Sequence, residues 1–236
     1  MRRYSIAGKA LFTVLCSMVL IASGTSQTLS SSLGVGTTDF VNFSEGEHMG
    51  EMSHSAGSYQ FVKLDFEEYL PEAKFLSISL KMDRSEGSIT SRSYFMFCGV
   101  FPTNFQNLPD LHHRFSLYRF SLGIAPININ VYRGIKVKAG VDLSRILKFD
   151  ATPLKDEIDE APSFFPGSAE DVVNKMGFGT FMDIQFGEIG LGNHFSMVPF
   201  YHGSLGLINE IETNFNTKTM RHSIGIALKS KLTARN

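Results

Sequence analysis

The sequence has no tryptophan, only two cysteines and no excess of positive charge. Cys16 lies in an apolar N-terminal stretch, so Cys98 stands alone in the rest of the chain. That excludes an intramolecular disulfide and a multi-cysteine metal site there. Three of the 22 Lys and Arg fall within residues 1–26, and none of the 23 Asp and Glu do. The remainder therefore holds 19 basic against 23 acidic residues, a net charge of −4. A nucleic-acid partner needs a basic footprint, and this balance lacks one. After residue 26 no apolar run approaches the roughly 18 residues that a transmembrane helix requires. Helical periodicity is scarce as well.

The N-terminus has a simple reading. Arg2, Arg3 and Lys9 precede the uncharged, mostly apolar stretch 10–23, and the small residues Gly24, Thr25 and Ser26 follow. Basic, apolar and small-residue regions in that order make a secretory signal peptide. The apolar run is shorter than the roughly 20 residues of a spanning helix. Cleavage is expected after Ser26, with Gly24 as the alternative. Leu15 before Cys16 does not suit lipoprotein processing, which requires a small residue there.

Beyond residue 26 the chain alternates with period 2. Eight strands are predicted, at roughly 31–43, 58–70, 74–87, 114–131, 134–147, 173–187, 193–207 and 219–232. In the fifth, Ile135, Val137, Ala139, Val141 and Leu143 share one face, and Lys136, Lys138, Gly140, Asp142 and Ser144 the other. The third opposes Leu76, Ile78, Leu80 and Met82 to Ser77, Ser79, Lys81 and Asp83. The fourth changes phase near Pro126, which points to a bulge or an irregular strand end there.

A soluble lipocalin-like barrel and a membrane barrel both alternate, with opposite faces inward. Three features favour the membrane. Short connections (71–73, 132–133, 188–192) alternate with long ones (44–57, 88–113, 148–172, 208–218), and the signal peptide puts the N-terminus on the short-turn side. The polar faces mix Lys, Arg and Asp with Gly and Ser, which suits a narrow, charge-paired interior. The last strand runs close to the chain end, as closure against the first requires. The predicted fold is all-β: an eight-stranded antiparallel up-and-down transmembrane barrel over 27–236. A soluble barrel binding an apolar ligand is the alternative.

Several segments carry a family resemblance. They are the Gly-rich strand MGFGTFMDIQFG, the strand ending YHGSLGL at 201–207, and the closing strand HSIGIALKSKL. The stretch 118–126 and the pair 59–70 and 75–82 add to it. In this order the chain resembles the small outer-membrane β-barrel domain family whose members are called porin-family or PorT-family proteins. It departs from that pattern at its end, where Leu232 and residues 233–236 replace a final aromatic. The resemblance implies a bacterial outer-membrane location and barrel-assembly machinery as a partner. It implies no single function, although some members assist secretion.

The register places Lys63, Asp65, Lys81, Asp83, Arg119, Lys136, Lys138, Asp142, Asp183, Arg221 and Lys229 inside. A paired polar core is expected from them rather than an ion path or a wide pore. His202 and Ser204 share a face, with Glu210 and Glu212 beyond, so a lipid A acyl hydrolase is the enzymatic alternative. Both residues point inward, away from lipid, and no enzyme is expected. His48, Glu51 and His54 recur every three residues in a loop, where solvation is the expectation rather than a metal site. Cys98 sits in the apolar run 94–101 and is expected to be packed and inert. No catalytic, cofactor or metal residue is assigned.

Acidic charge gathers in two long loops. Glu45, Glu47 and Glu51 lie in the first, and Asp150, Asp156, Glu157, Asp159, Glu160, Glu170 and Asp171 in 148–172 outweigh Lys148 and Lys155. Weak Ca²⁺ or Mg²⁺ binding that bridges to lipopolysaccharide phosphates is one expectation, and a solvated rim the plainer one. Outer-membrane lipid, lipopolysaccharide and surface or secretion proteins reached through the loops are the expected partners.

Overall fold

The computed structural model describes residues 27–41, 52–69, 75–91, 111–132, 134–153, 174–210 and 218–232. Ten strands form one sheet: β1 (Gln27–Phe40), β2 (Met52–Ser55), β3 (Gly57–Tyr69), β4 (Phe75–Ser91), β5 (Leu111–Tyr132), β6 (Ile135–Pro153), β7 (Met176–Phe186), β8 (Ile189–Gly190), β9 (Phe195–Gly206) and β10 (Thr219–Leu232). β2 and β3 are separated by Ala56 alone, and both pair with β4. β7 and β8 likewise both pair with β9. The ten therefore make eight staves. β10 pairs with both β9 and β1, always antiparallel, and this closes the barrel. Closure removes the sheet edges where each stave pairs on both sides, the arrangement that hydrocarbon surroundings demand.

Outward and inward faces differ in kind. Leu33, Val35, Val62, Met82, Ile127, Ile224 and Ile226 are exposed on the outside, each more than half accessible. Among the described residues, buried polar and charged side chains outnumber buried apolar ones more than two to one. This is the reverse of a soluble barrel, whose apolar face must turn inward to leave water. An apolar belt around a polar interior is stable when the surroundings are hydrocarbon.

Backbone irregularities set the phase of two staves. Ala125 and Pro126 together face the single residue Gly140, because Ile124 pairs with Val141 and Ile127 with Ala139. Proline has no donor to lose at such a bulge. A Cβ on Gly140 would lie 2.7 Å from the Ala125 Cα, so the bulge requires glycine opposite it. The inward series Leu117, Arg119, Ser121, Gly123, Ala125 resumes at Asn128. A second shift falls on β6, where Lys148 pairs with Tyr118 but Ile146 with Arg119, leaving Leu147 over. It turns Phe149 inward and Lys148 outward. Pro199 stands where neither β7 nor β8 pairs with β9.

The short-turn end is tight. Gly134 and Gly192 hold positive φ (87° and 97°) in the β5–β6 and β8–β9 turns, where a side chain would be strained. At the other end the strands are uneven. β6 runs to Pro153, into the segment the sequence predicts as a loop from 148, and β2 lies inside the predicted loop 44–57. The expected signal peptide 1–26 and Cys98 lie outside the described residues.

Candidate functional site

All eleven charged residues that the alternation places inside do point into the lumen. Small residues make room for large ones. Gly34 and Gly225 lie under the rings of Phe61 and Phe200, and those rings pack at 6.0 Å. Beside the rings, with Lys63 Nζ 5.7 Å from the centre of Phe200, ion pairs cross the barrel. Lys63 on β3 reaches Asp183 on β7 at 2.5 Å while also holding Asp65 at 3.2 Å. Near the short turns, Glu67 on β3 pairs with Lys138 and, at 2.7 Å, with Lys136, both on β6. Lys229 donates to the Gln185 side chain at 2.7 Å.

Toward the long-loop end, Arg119 Nε donates to Asp83 at 3.0 Å, and the same guanidinium pairs with Glu210. Glu210 also accepts from Arg221 and from the Thr219 hydroxyl, at 2.9 Å for the latter. Burial pushes the Glu210 carboxyl up, but the charges of Arg119 and Arg221 outweigh it and hold the group below its ordinary value. Glu210 follows β9 and folds back into the barrel mouth, so it is an interior counter-ion rather than a loop acid. Above this cluster Phe40 packs on Phe115 at 5.7 Å and Phe115 on Phe149 at 6.4 Å, forming an aromatic cover.

The His202–Ser204 pair is buried as the alternation implies, but the two do not meet. His202 Nδ1 bonds Asp183 Oδ1 at 2.5 Å, and its Nε2 faces Lys81 Nζ at 3.5 Å. Both ring nitrogens of His202 thus have partners other than Ser204. Ser204 Oγ has no hydrogen-bond partner and borders a cavity of about 20 Å³ with Lys81, Arg119, Glu210 and Arg221. Glu212 lies outside the described residues. His48 and Glu51 do too, and His54 sits on β2. Among the described residues no cluster of three or more His, Cys, Asp or Glu has metal-site geometry. Of the acidic loop residues, Asp150 belongs to β6, where it pairs with Lys148 at 2.5 Å; the others are outside the described residues.

Two further lumenal cavities hold about 10 Å³ each. A water-sized molecule needs on the order of 10–15 Å³, so none of these three spaces admits a solute. The purified barrel in a planar bilayer should therefore give no steady conductance. Regular single-channel steps would refute a filled lumen.

No family model matches the chain, and neither does any curated protein sequence. Solved structures similar to it include Neisserial surface protein A (NspA), at 12% identity over 89% of this chain and 99% of that one, TM-score 0.43. Outer membrane protein AlkL in DMPC bilayers matches at 8% identity over 91% of this chain and 93% of its own, TM-score 0.41. Outer membrane protein OprG from Pseudomonas aeruginosa matches at 10% over 88% and 96%, TM-score 0.37.

Proposed function

We propose that this chain is a bacterial outer-membrane β-barrel with a structural or interaction role, neither a diffusion pore nor an enzyme. The observation that carries the proposal is the reversed polarity: a closed apolar exterior around a lumen filled by crossing ion pairs. Filled lumens leave the long connections as the surface available to partners, and loops on a rigid scaffold commonly carry function. In this reading a cleaved signal peptide, 1–26, directs export, and barrel-assembly machinery inserts the chain. The relation to porin-family or PorT-family barrels belongs to the same proposal. So do contacts with lipopolysaccharide or secretion proteins, and weak divalent-cation binding by the acidic loops.

A lipocalin-like role is disfavoured, because it needs an apolar cavity where this lumen has Lys63, Asp183 and Arg119. A lipid A hydrolase is disfavoured by the burial of His202 against Lys81.

Fractionation tests the proposal. The protein should sediment with the outer membrane and resist alkaline or high-salt extraction. Epitope tags within 154–172 should be accessible on intact cells, and tags at 132–133 should not. Recovery in the soluble fraction without detergent would end the membrane reading, and exposed turn tags would invert the topology.

A further inference from the structure

The barrel exterior carries one row of side chains unlike the rest of its belt. Strand register sets Arg84 on β4 opposite Tyr118 on β5, and Tyr118 opposite Lys148 on β6. Gln60 on β3 continues the row. The Arg84 guanidinium lies 5.4 Å from the centre of the Tyr118 ring, and Lys148 Nζ lies 5.9 Å from it. Arg145, opposite Phe120, adds a third exposed cation one outward position nearer the belt.

The height of this row matters. Going up β4 from the short-turn end, the outward residues are Leu76, Ile78, Leu80 and Met82, and then Arg84, Glu86 and Ser88. Arg84 is thus the first outward charge on its own strand, with Arg145 one level lower on β6, where hydrocarbon gives way to headgroups on the long-loop side. Aromatic and basic residues gather at that boundary because one end of each is apolar and the other polar. Directly adjoining the row is an open groove of about 420 Å³, walled by Leu33, Val35, Val62, Met82 and Leu147, with Arg84 and Tyr118 also on its lining. The bulge at Leu147 contributes to both parts, since it turns Lys148 outward beside the groove.

Arg84 and Lys148 already hold carboxylates, Glu86 and Asp150, two residues further along their own strands. These pairs are solvent-facing, with the Arg84 side chain 46% and the Lys148 side chain 62% accessible. Exposed pairs are weak and leave most of the cationic N–H groups open. Glu86 and Asp150 each serve the cation of their own strand, whereas a phosphate at the boundary is free to settle between the strands and accept from both cations.

We propose that this row and groove form a binding site for a phosphorylated glycolipid of the outer leaflet, the lipid A part of lipopolysaccharide. Its phosphate sits among Arg84, Arg145 and Lys148, and an acyl chain lies in the groove. The two halves of the site match the two halves of an amphiphile, charge to charge and apolar to apolar. The identity of the lipid rests on the outer-membrane reading above, because that reading decides which leaflet the row faces.

The test uses the purified full-length barrel in detergent, titrated with bisphosphorylated lipid A and read by native mass spectrometry. The triple variant R84Q/R145Q/K148Q should bind at least about tenfold more weakly, the scale of losing charge-assisted hydrogen bonds. K231Q removes a well-exposed cation at the opposite, short-turn edge and should bind as the wild type does. Far-UV circular dichroism and heat-modifiable migration check that each variant is folded. Dephosphorylated lipid A should bind the wild type as weakly as bisphosphorylated lipid A binds the triple variant. Undiminished binding by the folded triple variant would overturn the proposal. So would an equal loss in K231Q, or equal affinity for phosphatidylglycerol or inorganic phosphate. The assay is independent of cellular location, so a failure of fractionation and a failure of this site are read separately.

Discussion

Replacing Asp183 by Ala should destabilise the barrel by about 3–5 kcal/mol, the range for removing one partner of a buried ion pair. Asp183 is 1% exposed and serves two partners, Lys63 at 2.5 Å and His202 Nδ1 at 2.5 Å. Its removal leaves Lys63 with Asp65 alone and strips His202 of its carboxylate. Neither can turn to water, because both lie inside a closed sheet. The Lys63→Met/Asp183→Leu double variant should lose less than Asp183→Ala does, because it removes both charges and refills the space with apolar volume. Urea unfolding of the folded barrel in lipid or detergent, compared at equal m-value, measures both. A double variant as damaged as the single one would mean that shape, not charge compensation, governs this layer.

Glu210→Ala should cost a similar amount, about 3–5 kcal/mol, because one carboxylate neutralises both Arg119 and Arg221. Arg119 retains Asp83, at 2.6 Å, so Arg221 bears more of the loss. The effect carries a pH signature. The Glu210 carboxyl is held below its ordinary value of 4.5 by the two guanidiniums against the opposing effect of burial. A depressed acid contributes stability that is fully present above pH 4.5 and is lost as pH falls through the lower folded value. The stability difference between wild type and Glu210→Gln should thus be constant near neutrality and shrink on acidification below about 4.5. A difference that grows on acidification would place the wrong charge state on Glu210.

Much of this architecture is legible in the alternation. A period of 2 assigns every side chain of a strand to one of two faces. Lys63, Asp83, Lys138 and Asp183 are therefore found inside without knowledge of their partners. Pro126 signals its own bulge, since a residue without a donor fits a strand only where the ladder breaks. Leu147 gives no such signal. Nothing in an apolar residue between Ile146 and Lys148 marks it as extra, and the sequence reading accordingly stops the strand there, although it runs on to Pro153. β1 shows the same limit, starting at Gln27 rather than 31, because Ser and Thr leave its alternation faint.

In the sequence Glu210 is only a carboxylate near His202 and Ser204, a pattern that points to hydrolytic chemistry. Its true partners come from β5 and β10, 91 and 11 residues away in sequence. The row of Arg84, Tyr118 and Lys148 is of the same kind, drawn from three strands and aligned only by register. The sequence by itself determined that the chain is a set of two-faced strands and that seven basic and four acidic residues face the lumen. Those properties depend on neighbours along the chain. Only the tertiary structure decided which cation meets which anion across the lumen, and that exposed cations gather beside an apolar groove. Those depend on closure, stagger and bulges, which bring together residues whose separation along the chain carries no trace of their contact.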